Sequence, residues 1–285
     1  MHSKPPLEIA IPEGPTLANH RPLALLGGVN VMESRDFTLS CAEHFAKVTE
    51  KLSLDWVFKA SFDKANRSSV HSFRGPGLDD GLKWLAEVAE TFSVPVMTDV
   101  HEPHQVSAAA EVCRVLQLPA FLCRQTDLVR ALAESQAVIH VKKAQFLSVR
   151  ECALLLEKFA ECGTRDVMLC ERGTLFGYNN LVVDVLNFGL MKRTGHPVVF
   201  DVTHSLQQPG ALRNSSGGRR EGLMELARAG VACGIAGLFL EAHPEPDQAL
   251  CDGPSALHLD LLSDCLTQIV QLDAWVKSLE PLDTT

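Results

Sequence analysis

The sequence lacks paired cysteines, which would be expected in a zinc ribbon or a disulfide framework. Nine cysteines are spread through 285 residues, and no two of them form a CxxC pair or repeat at a regular spacing. Reduced thiols in a cytosolic protein fit this distribution best. We therefore expect a cytoplasmic protein that holds neither structural zinc nor disulfide bonds.

The sequence also lacks the apolar runs that a membrane-spanning helix requires. Its first 19 residues include Pro5, Pro6 and Glu8 and have no continuous apolar core of the kind found in signal peptides. Hydrophobic residues nevertheless make up 46% of the chain, which excludes disorder as a global description. These features predict a folded, soluble protein that is not exported and has no membrane partner.

An excess of basic residues is missing as well. The formal net charge is −9 and the isoelectric point is near 5.6. Nucleic acid and anionic membranes both favour a basic face, so neither is expected as the main partner. An anionic small molecule would instead need a local basic pocket in this acidic protein.

Short apolar runs, each ending in a polar or charged residue, alternate with longer amphipathic segments. The predicted strands are residues 23–27, 56–59, 95–99, 115–118, 138–142, 167–171, 198–201 and 237–241. The predicted helices are residues 38–52, 78–92, 103–113, 128–134, 149–161, 181–193, 219–229 and 257–279. Eight such alternations predict a (β/α)₈ barrel rather than an open doubly wound sheet.

No dinucleotide fingerprint follows the first predicted strand. The sequence Gly27-Gly28-Val29-Asn30 is too short and wrongly spaced for GxGxxG, so a nicotinamide enzyme is not expected. No linker or change in composition marks a second domain. We therefore predict one barrel domain over residues 1–285 with a short N-terminal extension.

Residues 58–69, FKASFDKANRSS, concentrate cations and polar donors directly after an apolar run. Lysine, arginine, hydroxyl and amide groups suit phosphate or carboxylate oxygens, although an ordinary surface loop is the alternative. A barrel gathers its strand ends at one face, where Lys59, Lys64, Lys142, Arg67, Arg124 and Arg172 would converge. Such a site favours a ligand with several negative charges. A lysine forming a Schiff base stays open at this point.

Six segments resemble a known family closely. They are FKASFDKANRSS (58–69), TDVHE (98–102), QLPAF (117–121), RQTD (124–127), FDVTH (200–204) and CDGPSAL (251–257). In this order they resemble the 3-deoxy-D-manno-octulosonate 8-phosphate synthases, and the likeness runs from about residue 25 to the C-terminal helix. The resemblance implies a tetrameric (β/α)₈ barrel that condenses phosphoenolpyruvate with arabinose 5-phosphate, releases inorganic phosphate, and uses neither a cofactor nor a Schiff base.

The resemblance also implies a role for individual residues. Lys142, Arg172, Lys64 and the backbone at Ala120 would bind the phosphate of phosphoenolpyruvate, while Lys59, Ser61 and Gln145 would face its carboxylate and enol oxygen. Asn66, Arg67 and Ser68 would clamp the arabinose phosphate, with Asp99 and Gln117 facing the sugar and its aldehyde. Arg124 would reach a neighbouring subunit's site. Lys64 and His204 are the candidates for proton transfer at the aldehyde and at the water.

Metal dependence turns on one position of the motif at the end of the first strand. His204, Glu241 and Asp252 would form half of a divalent-metal site. In metal-dependent members of the family the remaining ligand is a cysteine, and the aligned residue here is Asn30. Asparagine is a weak neutral donor. The resemblance therefore implies a metal-independent enzyme in which Asn30 orients the water and the aldehyde, Asp252 belongs to the catalytic set and Glu241 to the substrate-binding set.

Two other functions stay open. The related synthase that joins phosphoenolpyruvate to erythrose 4-phosphate would share the barrel and half of the site, although residues 66–69 favour the five-carbon sugar. A catalytically silent sugar-phosphate sensor could be built on the same barrel, although every position expected to be essential holds a competent side chain. Side-by-side assays with both aldoses would separate these alternatives.

Overall fold

The computed structural model describes residues 4–67, 69–210, 217–280 and 282. Ser68, which is predicted to help clamp the arabinose phosphate, lies outside the described residues. Residues 211–216 also lie outside the described residues. None of the helices in the described ranges combines the length and the apolar character that crossing a membrane requires.

Eight parallel strands close into a barrel within the described ranges. They are β1 (Ala24–Val31), β2 (Trp56–Ser61), β3 (Val96–Asp99), β4 (Val115–Leu118), β5 (Val138–Lys142), β6 (Val167–Glu171), β7 (Val198–Asp201) and β8 (Gly237–His243). Each strand pairs with the next in the chain, and β8 pairs with both β7 and β1. The predicted (β/α)₈ barrel is confirmed.

Helices follow the strands and pack around the barrel. They are α1 (Arg35–Leu52), α2 (Leu78–Phe92), α3 (Pro103–Val112), α4 (Thr126–Glu134), α5 (Val149–Glu161), α6 (Leu186–Lys192), α7 (Leu223–Ala232) and α8 (Leu262–Ser278). Local sequence sets several of their starts: Ser34 caps α1, and Ser148 with Glu151 forms a capping box at α5. A single helical turn, Val202–Ser205, follows β7.

Three helices begin later than their sequence pattern predicts. Residues 181–182 do not begin α6; they pair in an antiparallel hairpin with residues 174–175, and Asp184 accepts a hydrogen bond from the backbone of Leu186 where the helix starts. Arg220–Gly222 is a 3₁₀ turn before α7. Leu257–His258 extends the sheet beside β8 before α8. Backbone pairing with neighbours overrides the local helical periodicity in the first and third cases.

The N-terminal extension closes the end of the barrel where the strands begin. Ile9–Ala10 pairs with Thr16–Leu17, and the apolar side chains of this hairpin pack against strand residues that point into the barrel. A larger core fills the space between the strands and the helices. β1 and β2 approach closely at Gly28, where a Cβ would collide with the carbonyl oxygen of Lys59. The opposite end of the barrel is left open.

Candidate active site

A cavity of about 310 Å³ opens at the C-terminal ends of the strands. Sixteen of the seventeen predicted site residues lie within the described ranges, and twelve of them line this cavity. They are Lys59, Lys64, Asn66, Arg67, Asp99, Gln117, Ala120, Lys142, Gln145, Arg172, His204 and Asp252. Three further predicted residues contact this set from below or from the side, namely Asn30, Ser61 and Glu241. The closed barrel therefore brings together groups that are up to about two hundred residues apart in the chain.

Lys59 forms the floor of the cavity near β8. Its ammonium donates to Glu241 Oε1 at 2.8 Å and to the hydroxyl of Ser61 at 3.0 Å, and it lies 3.8 Å from Asp99 Oδ1. The side chain is only 1% exposed, and this burial lowers the pKa of Lys59 against the opposing attraction of Glu241. The carboxylates therefore offset the cost of keeping the ammonium charged in the barrel.

Asp99 stands at the end of β3, beside Lys59. It accepts a hydrogen bond from the Ser61 hydroxyl, and its other oxygen lies 3.1 Å from Nε2 of His101. Burial alone would raise the pKa of Asp99, but the attraction of Lys59 and the hydrogen bond of His101 hold it well below its usual value. Asp99 is therefore a fixed anion facing the cavity. His101, which sequence reasoning left without a role, also lines the cavity.

Lys142 and His204 share Asp201 as their partner. The carboxylate of Asp201 accepts from the Lys142 ammonium, from the backbone of His204 at 2.9 Å and from Nδ1 of that imidazole at 2.8 Å. Lys142 Nζ also lies 3.2 Å from the ring centroid of Phe239. Burial would raise the pKa of Asp201, but His204 and Lys142 outweigh it and lower that pKa. Asp201 belongs to the FDVTH motif but was not predicted as a site residue. Its position at the end of a buried strand could have indicated a place in the site.

Asn30 lies where three acidic or imidazole side chains meet. Its amide nitrogen donates to Glu241 Oε2 at 2.5 Å and to Asp252 Oδ2 at 3.4 Å, and it is 3.3 Å from His204 Nε2. Burial would raise the pKa of Glu241, but Lys59 and His204 lower it to about 2. The amide thus acts as a hydrogen-bond donor toward this cluster, while Asn30 Oδ1 has no partner among the described residues.

Cys251 is the sulfur nearest to this cluster. Its thiol lies 3.3 Å from Asp252 Oδ2 and contacts the guanidinium of Arg67. Burial and the charge of Asp252 raise the pKa of Cys251, so the group is a neutral thiol at physiological pH. In the part of the chain that the structure describes, no group of three or more His, Cys, Asp or Glu side chains is arranged to hold a metal ion.

The loop after β2 carries the remaining cations. Lys64 is half-buried. Burial is the largest single influence and would lower its pKa, but the neighbouring acidic groups, led by Glu241 and Asp99, together raise that pKa. The backbone of this loop is held by a hydrogen bond of 2.7 Å from Lys64 N to Arg74 O and by the paired side chains of Asp63 and Arg74. Asn66 is exposed at the cavity rim.

Arg124 stands apart from the other predicted cations. Its side chain is 71% exposed, and its nearest charged partner is Glu151 on α5, at 3.7 Å. Arg124 therefore does not line the cavity of its own chain, and its reach to a neighbouring subunit's site stays a prediction. Arg172, by contrast, is buried and donates to His204 O at 3.0 Å and to Gln207 Oε1 at 2.7 Å.

The fold and the cavity define a class: a (β/α)₈-barrel protein whose open end presents cations and buried carboxylates to an anionic ligand. Residues 10–278 match the model of the DAHP synthetase I family. The chain belongs to this family.

Curated relatives are similar over nearly the whole chain. A protein of Azotobacter vinelandii named 2-dehydro-3-deoxyphosphooctonate aldolase is 59% identical over 268 residues, which cover 94% of this chain and 95% of the relative. Proteins of the same name from Hahella chejuensis and Shewanella pealeana are each 58% identical, over 271 and 269 residues. The resemblance inferred from the six motifs is confirmed.

Proposed function

We propose that this enzyme condenses phosphoenolpyruvate with D-arabinose 5-phosphate and water, giving 3-deoxy-D-manno-octulosonate 8-phosphate and inorganic phosphate for lipopolysaccharide synthesis in the cytoplasm. One observation carries the proposal beyond the similarity to relatives. Among the described residues, five lysines and arginines line one cavity of an acidic protein, alongside buried carboxylates that can orient them. Such a cavity suits two phosphorylated substrates bound side by side.

The phosphoenolpyruvate end lies on the β5 and β6 side. Lys142 and Arg172 bind its phosphate, together with Lys64 and the backbone at Ala120. Lys59, Ser61 and Gln145 face its carboxylate and enol oxygen. Two observations support this arrangement: Lys142 and Arg172 both line the cavity, and Gln145 Oε1 is buried without a partner among the described residues. These cations would stabilise the charge that develops in the transition state.

Arabinose 5-phosphate occupies the side of the loop after β2. Asn66, Arg67 and Ser68 clamp its phosphate, and Asp99 and Gln117 face the sugar and its aldehyde. Two observations support this placement: Asn66 is exposed at the rim, and Gln117 Oε1 is buried without a hydrogen-bond partner in the described part of the chain. Because the two substrates lie together in one cavity, carbon 3 of the enol meets the aldehyde carbon without a separate encounter.

The reaction proceeds by attack of carbon 3 on the aldehyde while water adds at carbon 2. The resulting hemiketal phosphate expels phosphate by cleavage of the bond between carbon and oxygen. His204 donates Nδ1–H to Asp201, which leaves the lone pair of Nε2 for the water's proton. Lys64, whose ammonium is held charged by nearby carboxylates, delivers a proton to the aldehyde oxygen.

The reaction is metal-independent in this proposal. Asn30 presents an amide N–H toward Glu241 and Asp252, where a metal site would need an electron-pair donor. Asn30 instead orients the water and the aldehyde, with Asp252 and Glu241 holding its amide in place. Activity is expected to survive EDTA, and Asn30→Cys is expected to retain Mn²⁺ or Zn²⁺ after dialysis, as measured by elemental analysis. EDTA-sensitive activity restored by Mn²⁺ would contradict this part of the proposal.

The enzyme assembles as a homotetramer in this proposal. Apolar side chains are exposed on the hairpin and helix that follow β6, including Phe176, Tyr178 and Leu186 at 66%, 86% and 72% exposure. An apolar surface of this kind favours association with a second copy, and Arg124 would then reach the neighbouring site. Light scattering should give four times the chain mass, and a monomer with full activity would contradict the assembly.

The second candidate is the reaction that uses erythrose 4-phosphate, because the family model that matches this chain is described as the DAHP synthetase I family. Phosphate release from phosphoenolpyruvate, measured separately with each aldose, tests the choice. We expect release with arabinose 5-phosphate and little with erythrose 4-phosphate. The reverse preference would exchange the two candidates, and binding of both ligands without release would indicate a catalytically silent sensor.

A further inference from the structure

A third buried ion pair, besides Lys59–Glu241 and Lys142–Asp201, lies next in the chain to two of the cations that line the cavity. Lys143 and Glu171 are both fully buried, with Nζ and Oε1 3.3 Å apart. Neither residue lines the described cavity, yet each is the chain neighbour of one that does: Lys142 and Arg172. Removing two charges from water is costly unless further hydrogen bonds satisfy them. The hydrogen bonds that Lys143 and Glu171 make with their surroundings therefore decide what this buried pair does.

Glu171 fixes the backbone from which Arg172 projects. Its Oε1 accepts from the backbone N–H of Arg172 at 2.9 Å and from that of Gly173 at 2.7 Å. Its Oε2 accepts from the side-chain amide of Asn187 at 3.2 Å. Gly173 has a φ of 88°, a conformation that other residues seldom adopt. The carboxylate thus holds a sharp turn immediately after the arginine.

Lys143, which directly follows β5, forms hydrogen bonds with the same turn. Its ammonium donates to the carbonyl of Gly173 and to the hydroxyl of Thr174, both at 3.3 Å. The backbone N–H of Leu175 donates to the carbonyl of Gln145 at 3.0 Å. The two loops that carry Lys142, Gln145 and Arg172 are therefore cross-linked by a buried charge network. Those three side chains are the ones assigned above to phosphoenolpyruvate.

We propose that Lys143 and Glu171 are positioning residues for the phosphoenolpyruvate half of the site. They contact no substrate; they set the backbone at residues 143–145 and 171–174, and with it the direction of the Arg172 guanidinium. The arabinose phosphate clamp is carried by the loop after β2. Among the described residues, no hydrogen bond or ion pair joins Asn66 or Arg67 to Lys143 or Glu171. The inference rests on the proposed function for the identity of the ligand.

Lys143→Met tests the proposal, because methionine keeps the length of the side chain and removes its charge and donors. We expect the Kd for phosphoenolpyruvate, measured by calorimetry, and its KM to rise by between about 10-fold and 100-fold. The KM for arabinose 5-phosphate should stay near the wild-type value. The double variant Lys143→Met/Glu171→Gln leaves no buried unpaired charge, so it remains a folded test if the single variant does not accumulate.

Lys277→Met is the matched control. Lys277 and Asp273 form another largely buried pair, at 2.7 Å, on α8 far from the cavity. This variant should lower the melting temperature without changing either KM. Unchanged phosphoenolpyruvate affinity in both Lys143 variants, or an equal rise of both KM values, would overturn the proposal.

Direct binding separates this inference from the proposed function. If the wild type binds phosphoenolpyruvate but releases no phosphate with either aldose, the proposed function fails, while weaker binding by Lys143→Met still supports the positioning role. If the reaction proceeds but the Kd of the variants is unchanged, only the positioning role fails. Failure of the wild type to bind either phosphoenolpyruvate or inorganic phosphate would overturn both.

Discussion

The two ends of the barrel differ sharply in chemistry although the same eight strands build both. Where the strands begin, the N-terminal hairpin inserts Ile9, Ile11 and Leu17 among apolar side chains and closes the end. Where the strands finish, buried lysines, aspartates and glutamates surround an open cavity. Phe239 divides the two regions: it belongs to the apolar cluster below and lies under the ammonium of Lys142 above.

This difference separates what holds the barrel together from what the barrel does. At the closed end, burial of apolar side chains stabilises the fold, and no individual side chain there needs one specific partner. Each buried charge at the open end must be matched by a partner, as Lys59 is by Glu241 and Lys142 by Asp201. Substitutions at the closed end should therefore change stability, and those at the open end should change activity first.

The largest effect is expected from Lys142→Met. Loss of this ammonium removes a proposed phosphate ligand and one of the two side-chain partners of Asp201, so kcat/KM for phosphoenolpyruvate should fall by roughly 100-fold to 1,000-fold. Steady-state phosphate release measures it, and calorimetric binding of phosphoenolpyruvate shows whether affinity falls as well. Activity within a few-fold of the wild type would show that the charges at the open end are structural.

Leu17→Ala probes the closed end. Leu17 is fully buried in the hairpin, and the substitution should lower the free energy of unfolding by about 2–5 kcal/mol. Urea denaturation followed by circular dichroism gives the change. Both KM values should be unaltered at a temperature where the variant is folded; a selective loss of substrate binding would mean that the two ends are coupled.

Acid should destabilise the open end through Glu241. Its pKa in the folded protein is about 2, below the ordinary value of 4.5, because Lys59 and His204 outweigh the effect of burial. The resulting stabilisation is complete above pH 4.5 and is lost as the pH falls toward 2. The gap between the two pKa values corresponds to about 3 kcal/mol. Unfolding of Glu241→Gln should show correspondingly less dependence on pH across this window, and an unchanged dependence would contradict the account.

The smallest effect is expected where a charge pair is exposed. Lys83 and Asp80 lie 3.0 Å apart on α2, with side chains 73% and 61% exposed. Lys83→Met should change the free energy of unfolding by no more than about 0.5 kcal/mol and leave catalysis intact. If Lys83→Met lowers the free energy of unfolding as much as the loss of a buried ion pair does, burial does not explain why buried and exposed charge pairs differ.

The sequence predicted the barrel because every strand is an apolar run. Most of the predicted site residues line one cavity because parallel strands finish at one end. Residues 181–182 were harder: they were predicted to begin a helix, but they pair through their backbone with residues 174–175. Asp201 was missed because its importance comes from two partners, Lys142 and His204, only one of which is near in the chain. Arg124 does not line the cavity of its own chain, since its side chain is exposed beside Glu151 on α5.

The most direct test is phosphate release from phosphoenolpyruvate in the presence of arabinose 5-phosphate. Erythrose 4-phosphate serves as the control aldose, and a parallel set of assays contains EDTA. The account predicts release that depends on arabinose 5-phosphate and is unaffected by EDTA. Release with erythrose 4-phosphate alone, or no release with either aldose, would contradict it.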